Sequence, residues 1–362
     1  MSVNLKHFVN IDIKQHVTSA VIGTRKTVAL FTSEEKQSET YPLIVNASNY
    51  EVKCEGMSTT IAYLDVFFAH GGQEVAVYGE TSTSTFTADV IMSLPQEYVC
   101  VAYASSSSNH SNMHTLAKSL ESQTEFYGIN RKVLLSRASL SDVKSEEFPL
   151  NVACLAVKVS SDVGAEMTIA AYLSKINVYD MDSVYDYMYT TEQITPQKLS
   201  DSEYETVITK NCNVDIELAG ATRNCGGNMS DGSDIVNSYV LILLHQTTTA
   251  RLVQLLSQKI KSEDGISKIY AVISQELGNY LTCGYLTTDK VWTDPDLIIS
   301  YNNENYTVIE TGTALTDGYV VKVLPFSSLT ENDKALHKTP PIYIVLASQY
   351  GIRAITINGE VI

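Results

Sequence analysis

His110 and His114 stand four residues apart, the spacing that sets two imidazoles on one helix face for a metal ion. Between them lie Ser111-Asn112-Met113, so the glutamate that a zinc hydrolase helix carries is missing, and both read as surface or structural histidines. Cys212 and Cys225 bracket a segment that ends in Asn224-Cys225-Gly226-Gly227-Asn228, a spacing that fits no common zinc pattern. The Gly226-Gly227 pair lacks the Lys-Ser/Thr of a phosphate loop. The run Met229-Ser230-Asp231-Gly232-Ser233-Asp234 is rich in oxygen ligands. Its aspartates are off the spacing of the helix–loop–helix calcium motif, and turn chemistry accounts for Asp231-Gly232. No Gly-x-Ser-x-Gly elbow occurs. The expectation is a protein without catalytic residues, metal ligands or cofactor, and not an enzyme.

The elements that would have to hold such groups are legible in part. Val28-Ala29-Leu30-Phe31 and Leu43-Ile44-Val45 read as buried strands. Ser58-Thr59-Thr60 offers a cap to a helix with Ile61, Leu64, Phe67 and Phe68 on one face, stopped by Gly71-Gly72. Strands at 75–78, 98–103, 133–135 and 152–159 alternate with short helices at 86–94, 114–120 and 167–176, which implies a partly parallel sheet in an α/β layer. An acidic, tyrosine-rich run, 178–187, reads as a boundary or an interface segment. Thr195-Pro196 is a candidate helix start. Two amphipathic faces follow, Leu252, Val253, Leu256, Ile260 and Ile266, Ile269, Tyr270, Ile273, Leu277, with Asp264-Gly265 as the turn of an antiparallel pair. Strand-like runs lie at 297–299, 307–309 and 319–324.

Composition narrows the function classes. Hydrophobic residues make up 44% of the 362, enough for sizeable cores, but charged residues only 18%, with 22 tyrosines among their replacements. Interface cores are depleted in charge in this way. The net charge of −16, with no basic run longer than Arg131-Lys132, argues against direct nucleic-acid binding and against acidic membrane surfaces. No apolar run approaches a membrane span, and residues 1–14 lack the apolar core of a signal peptide. The six cysteines, Cys54, Cys100, Cys154, Cys212, Cys225 and Cys283, are scattered and read as buried free thiols.

Both ends look like strands. Pro340-Pro341-Ile342-Tyr343-Ile344-Val345-Leu346-Ala347 is followed, past Gln349-Tyr350-Gly351, by Ile355-Thr356-Ile357-Asn358-Gly359-Glu360-Val361-Ile362. Val9-Asn10-Ile11-Asp12-Ile13-Lys14 alternates in the same way. Termini are ordinarily polar, so apolar β-branched ends call for a partner: their own core or another chain.

From Ser230 to Leu286 the order of features is similar to the C-terminal half of contractile phage tail sheath proteins. An Asp231-Gly232 turn precedes Ile235 and the run Tyr239 to Leu244. The two helices come next, with Glu263-Asp264-Gly265-Ile266 between them, and then Leu281-Thr282-Cys283-Gly284-Tyr285-Leu286. Lys338-Thr339-Pro340-Pro341-Ile342-Tyr343 and Gly351-Ile352-Arg353-Ala354-Ile355 resemble the closing strands of that family. Val28 to Thr32, Tyr41, Ile61 to Phe68 and Glu74 to Gly79 follow the order of sheath N-terminal regions.

The resemblance implies a mixed α/β (α+β) multi-domain fold, with mixed sheets flanked by helices and extended strand arms at both ends. The expected division is an N-terminal arm (1–20), an N-terminal α/β domain (21–190), a C-terminal α/β domain (191–347) and a C-terminal strand arm (348–362). It further implies a structural subunit of a virion tail, made in the host bacterial cytoplasm. Its partners would be copies of itself in homo-hexameric rings stacked helically, the tail tube protein, and baseplate and tail terminator proteins. Val9, Ile11, Ile13, Ile355, Ile357 and Val361 would lie in intersubunit strands. Two alternatives remain at this point: another tail protein (tube or neck), and an intracellular α/β enzyme or ligand-binding protein with the Gly226-Gly227 loop at its site.

Overall fold

The computed structural model describes residues 12–13, 17–18, 27–34, 41–79, 86–94, 98–105, 116–120, 132–137, 139–144, 152, 154–180, 189–256, 262–336 and 338–348. His110 and His114, most of the tyrosine-rich run (181–187), Val9, Ile11, Ile355, Ile357 and Val361 lie outside these residues.

The strands, in chain order, are β1 (Asp12–Ile13), β2 (Val17–Thr18), β3 (Thr27–Thr32), β4 (Leu43–Asn46), β5 (Glu74–Gly79), β6 (Tyr98–Ala104), β7 (Lys132–Arg137), β8 (Leu155–Val159), β9 (Asn213–Leu218), β10 (Ala221–Cys225), β11 (Leu297–Tyr301), β12 (Glu304–Ile309), β13 (Tyr319–Val323) and β14 (Ile342–Leu346). The helices are α1 (Tyr50–Lys53), α2 (Ser58–Ala69), α3 (Ala88–Ser93), α4 (Leu140–Lys144), α5 (Met167–Lys175), α6 (Asp201–Thr209), α7 (Ile235–Leu256), α8 (Ser262–Thr282) and α9 (Glu331–Ala335).

The main sheet has eight strands in the order β10-β9-β8-β7-β6-β3-β5-β4. It is parallel from β9 through β5, and each edge carries one antiparallel strand. Parallel strands are covered on both faces and therefore read as continuous apolar runs. One face packs Val28, Leu30, Val75 and Val77 against α2, α5, α7 and α8. The other packs Ala29, Phe31, Val101, Leu135 and Val157 against α3, α4 and α6. Each large aliphatic or aromatic side chain so buried contributes roughly 1.5–3 kcal/mol.

Strands β9 and β10 complete this sheet, so it runs across the boundary expected at 190/191. Asn213-Val214-Asp215-Ile216 alternates polar and apolar residues, and its polar positions face a buried polar strip rather than solvent, a pattern that hides a strand from a search for apolar runs. Ala219 and Gly220, both at positive φ, form the tight turn to β10.

Helix boundaries depart from expectation where a cap lies outside the local sequence. Helix α2 begins at Ser58 itself, and its cap is Glu34, from the end of β3. The Glu34 carboxylate accepts from Thr59 N at 3.0 Å and from Thr60 N at 2.9 Å. Burial raises the Glu34 carboxyl, but the hydrogen bonds from Thr60 and Thr59 outweigh it and hold the group below its ordinary value. Replacing Glu34 by Ala is expected to cost about 0.5–2 kcal/mol at neutral pH. Because the folded pKa is the lower one, the cap's contribution is present above the unfolded pKa and is lost as pH falls through the folded value. Urea unfolding of wild type and Glu34→Ala should therefore converge in acid; a gap that stays constant with pH would contradict the capping role.

Thr195-Pro196 does not open a helix. Helix α6 starts at Asp201, where Ser200 N donates to the Glu203 carboxylate at 2.9 Å in a capping box, the stronger start signal. Tyr239 to Leu244 lies inside the 22-residue α7, and Asp264-Gly265 lies in the first turn of α8 rather than between the helices. The helices are antiparallel, as expected: Thr247 meets Tyr280 at 3.2 Å and Arg251 lies 3.7 Å from Glu276.

Candidate assembly interface

The second sheet is built around the last described strand. β13 and β14 pair antiparallel over five residues, from Tyr319 with Leu346 to Val323 with Ile342. On one face Tyr319, Val321, Ile342, Ile344 and Leu346 pack toward the main core, and the Tyr319 hydroxyl donates to Ser274 O of α8 at 3.2 Å. On the other, Val320, Tyr343 and Val345 join a small core with Ile299, Val308, Ile309, Leu315 and Leu324 beneath the β11–β12 hairpin. This two-sided covering is why Ile342-Tyr343-Ile344-Val345-Leu346 is apolar throughout.

The free side of β14 takes a strand from the far end of the chain. β1 pairs with it in parallel, with Asp12 opposite Tyr343, and then turns back antiparallel to β2, with Ile13 opposite Val17. The sheet order is β13-β14-β1-β2. Among the described residues the register between β1 and β14 is given by Asp12 opposite Tyr343. At the other end, Ala347 N donates to Gly318 O at 2.9 Å and Thr287 N to Ala347 O at 2.9 Å, and Ser348 bridges to Leu286. The first and last described strands, β1 and β14, thus lie side by side in one sheet. Of the six residues expected in intersubunit strands, Ile13 lies in β1; the other five lie outside the described residues.

Next to this sheet, the tyrosine-rich segment is anchored at its start. Tyr179 donates to Glu276 Oε1 at 2.5 Å, and burial together with that carboxylate pushes the phenol up to about 12. Val178 is buried beside it.

Three places where a ligand would be sought are filled by the chain itself. In an open parallel sheet the expected crevice lies beyond the carboxyl ends of the strands where the order reverses, here at β3 and β6. The N-terminus of α2 at that point already holds the Glu34 carboxylate. The Gly226-Gly227 loop is closed on Asn213, whose Oδ1 accepts from Gly227 N at 2.7 Å and whose Nδ2 donates to Asn228 O at 2.9 Å. Gly226 has φ +113°, and a Cβ there would sit 2.6 Å from Cys212 O. Asp231 takes Ser233 N at 2.9 Å within its own turn, and Asp234 caps α7 through Asn237 N at 2.8 Å. Among the described residues no group of His, Cys, Asp and Glu is arranged to hold a metal, and no helix is long and apolar enough to cross a membrane. Five cysteines are buried and Cys283 is half-buried; none forms a disulfide among the described residues.

The mixed sheet flanked by helices matches the folds of solved contractile sheath proteins. The chain superposes on the helical sheath of the anti-feeding prophage in its contracted state with a TM-score of 0.63 at 11% identity, covering 98% of each chain. A chain of the same particle's contracted-state baseplate structure gives a TM-score of 0.62 at 12% identity, covering 99% of each. The sheath tail protein of Listeria innocua gives 0.54 at 10% identity over 91% of this chain and 96% of that one. No protein-family model matches the sequence, and no curated protein matches it.

Proposed function

We propose that this chain is the structural subunit of a contractile sheath, in a phage tail or a prophage-derived particle, and that it polymerises around a tube and contracts to drive it. The observation that carries this reading is the likeness to a sheath over 98% of both chains. The occupied crevice at the sheet's reversal point and the closed Gly226-Gly227 loop favour a structural role over the ligand-binding alternative.

In the assembled form, subunits form hexameric rings stacked helically, with the tube protein inside and baseplate and terminator proteins at the ends. Residues 1–20 and 348–362 act as arms. Val9, Ile11 and Ile13, with Ile355, Ile357 and Val361, form strands added to a neighbour's sheet, and the position beside β14 receives one of them. A strand paired along a sheet edge can be replaced there by the equivalent strand of another copy. Backbone hydrogen bonds along the edge supply the connection, and alternating side chains supply the register. The subunit is made in the host cytoplasm and resides in the tail.

Concentrated purified protein, viewed by negative-stain electron microscopy, is expected to form hollow tubes of constant diameter. Small monodisperse particles at every concentration and salt would sink the proposal.

A further inference from the structure

Lys158 and Asp215 meet in the interior of the main sheet. Strands β8 and β9 run parallel, with Lys158 opposite Asn213, and this register puts Asp215 on the same face as Lys158. Both side chains are 0% exposed, and Lys158 Nζ lies 2.8 Å from Asp215 Oδ2. That approach lacks the angle of a hydrogen bond, and Oδ2 accepts none from the described residues. Oδ1 is held by the Thr191 hydroxyl at 3.0 Å. Nζ donates to Thr168 Oγ1 at 2.5 Å, and that hydroxyl in turn donates to Ala165 O at 2.8 Å, so its orientation is set. The Tyr189 ring, its centroid 5.9 Å from Nζ, stacks on Tyr172 at 4.4 Å beside the pair. A second acid, Glu166, is buried in the same strip, accepts from Ser136 Oγ at 2.5 Å, and is within electrostatic reach of Lys158.

A buried amine, a buried carboxyl in contact with it, a fixed backbone under each, and no water are the requirements for amide formation between side chains. We propose that Lys158 and Asp215 join through an intramolecular isopeptide bond, formed by the folded chain without a cofactor. The neutral amine attacks Cγ of the protonated carboxyl; the Nζ–Cγ bond forms and the Cγ–Oδ2 bond breaks. Oδ2 leaves as water with its own proton and one from nitrogen, and nothing is oxidised or reduced. Burial pushes the Lys158 amine down, toward the neutral nucleophile, and pushes the Glu166 carboxyl up, toward the form that holds a proton. Prior alignment of reacting atoms removes most of the entropic barrier to such a step. The bond would staple a seam at which two register pairs join β8 to β9, and would close the chain between them, α5 and α6 included, into a covalent ring.

The test is the intact mass of the purified, reduced full-length protein, followed by a tryptic digest. The expected result is a mass below that of the sequence by one water, and a branched peptide linking the segments that contain Lys158 and Asp215. Lys158→Met should restore the full mass; Asp215→Asn should give the same branched peptide with loss of ammonia; Glu166→Gln should slow the mass change during refolding. Full mass with two linear peptides in the wild type would overturn the proposal and leave an ion pair. That measurement needs no variant to fold.

Discussion

Deleting residues 350–362 is expected to leave a folded, monodisperse subunit that forms no tubes at concentrations where the full chain polymerises. The deletion begins beyond Ser348, so every described contact of β14 remains: its five pairs with β13, the Ala347 ties to Gly318 and Thr287, and the bridge to Leu286. The folded body therefore loses none of its described packing, while on the proposed arm assignment the polymer loses a linking strand. Polymerisation is multivalent, so removing one of two arm contacts per subunit lowers assembly by far more than it lowers any single contact. Circular dichroism and electron microscopy on the same sample separate the two effects. Tubes from the truncated protein would remove residues 355–361 from the interface; loss of the folded signal would show that they belong to the subunit's own core.

Asp215→Ala is expected to be the most destabilising single substitution in the main sheet. Joined or ion-paired, Asp215 is the partner of the fully buried Lys158 nitrogen, and the substitution removes it, leaving the contact with Thr168. Breaking one side of a buried pair costs about 3–5 kcal/mol, against a total stability of roughly 5–15 kcal/mol. A thermal midpoint lowered by on the order of 5–10 °C follows. Asp215→Leu combined with Lys158→Met should recover much of the loss, because apolar replacement of both partners removes the desolvation cost together with the attraction. Thermal unfolding of the two variants decides it: a single variant within a degree or so of wild type would show that Lys158 is already solvated or neutral in the folded chain.

What was legible at the level of residues was whatever the chain writes locally. Val28 to Phe31 and Tyr98 to Ala102 declare buried strands because both of their faces are covered, and Gly71 closes α2 at positive φ because only glycine adopts that turn without strain. The terminal run Ile342 to Leu346 was visible for the same reason as the core strands. Strands β9 and β10 were not, because their inward side chains are Asn213 and Asp215, polar residues whose partners Lys158 and Thr191 lie elsewhere in the chain. A signal did exist: an isolated lysine in Leu155-Ala156-Val157-Lys158-Val159 and an isolated aspartate in Val214-Asp215-Ile216 are opposite charges set inside strand patterns. Helix starts failed in a similar way, since Glu34 caps α2 from twenty-five and twenty-six residues away.

The sequence alone determined much of the kind of elements present and the apolar character of the ends, because periodicity and turn residues act over a few residues. Only the tertiary structure decided where the first described strand pairs. Strand β1 reaches β14 from more than three hundred residues away, and nothing local in Asp12-Ile13 names Tyr343 as its neighbour. Pairing of that kind is chosen by which sheet edge remains uncovered once α8 and the β11–β12 hairpin have closed over β13 and β14. The same holds for the buried pair: a lysine and an aspartate are ordinary residues in a sequence, and the register of β8 against β9 is what brings them within 2.8 Å of each other.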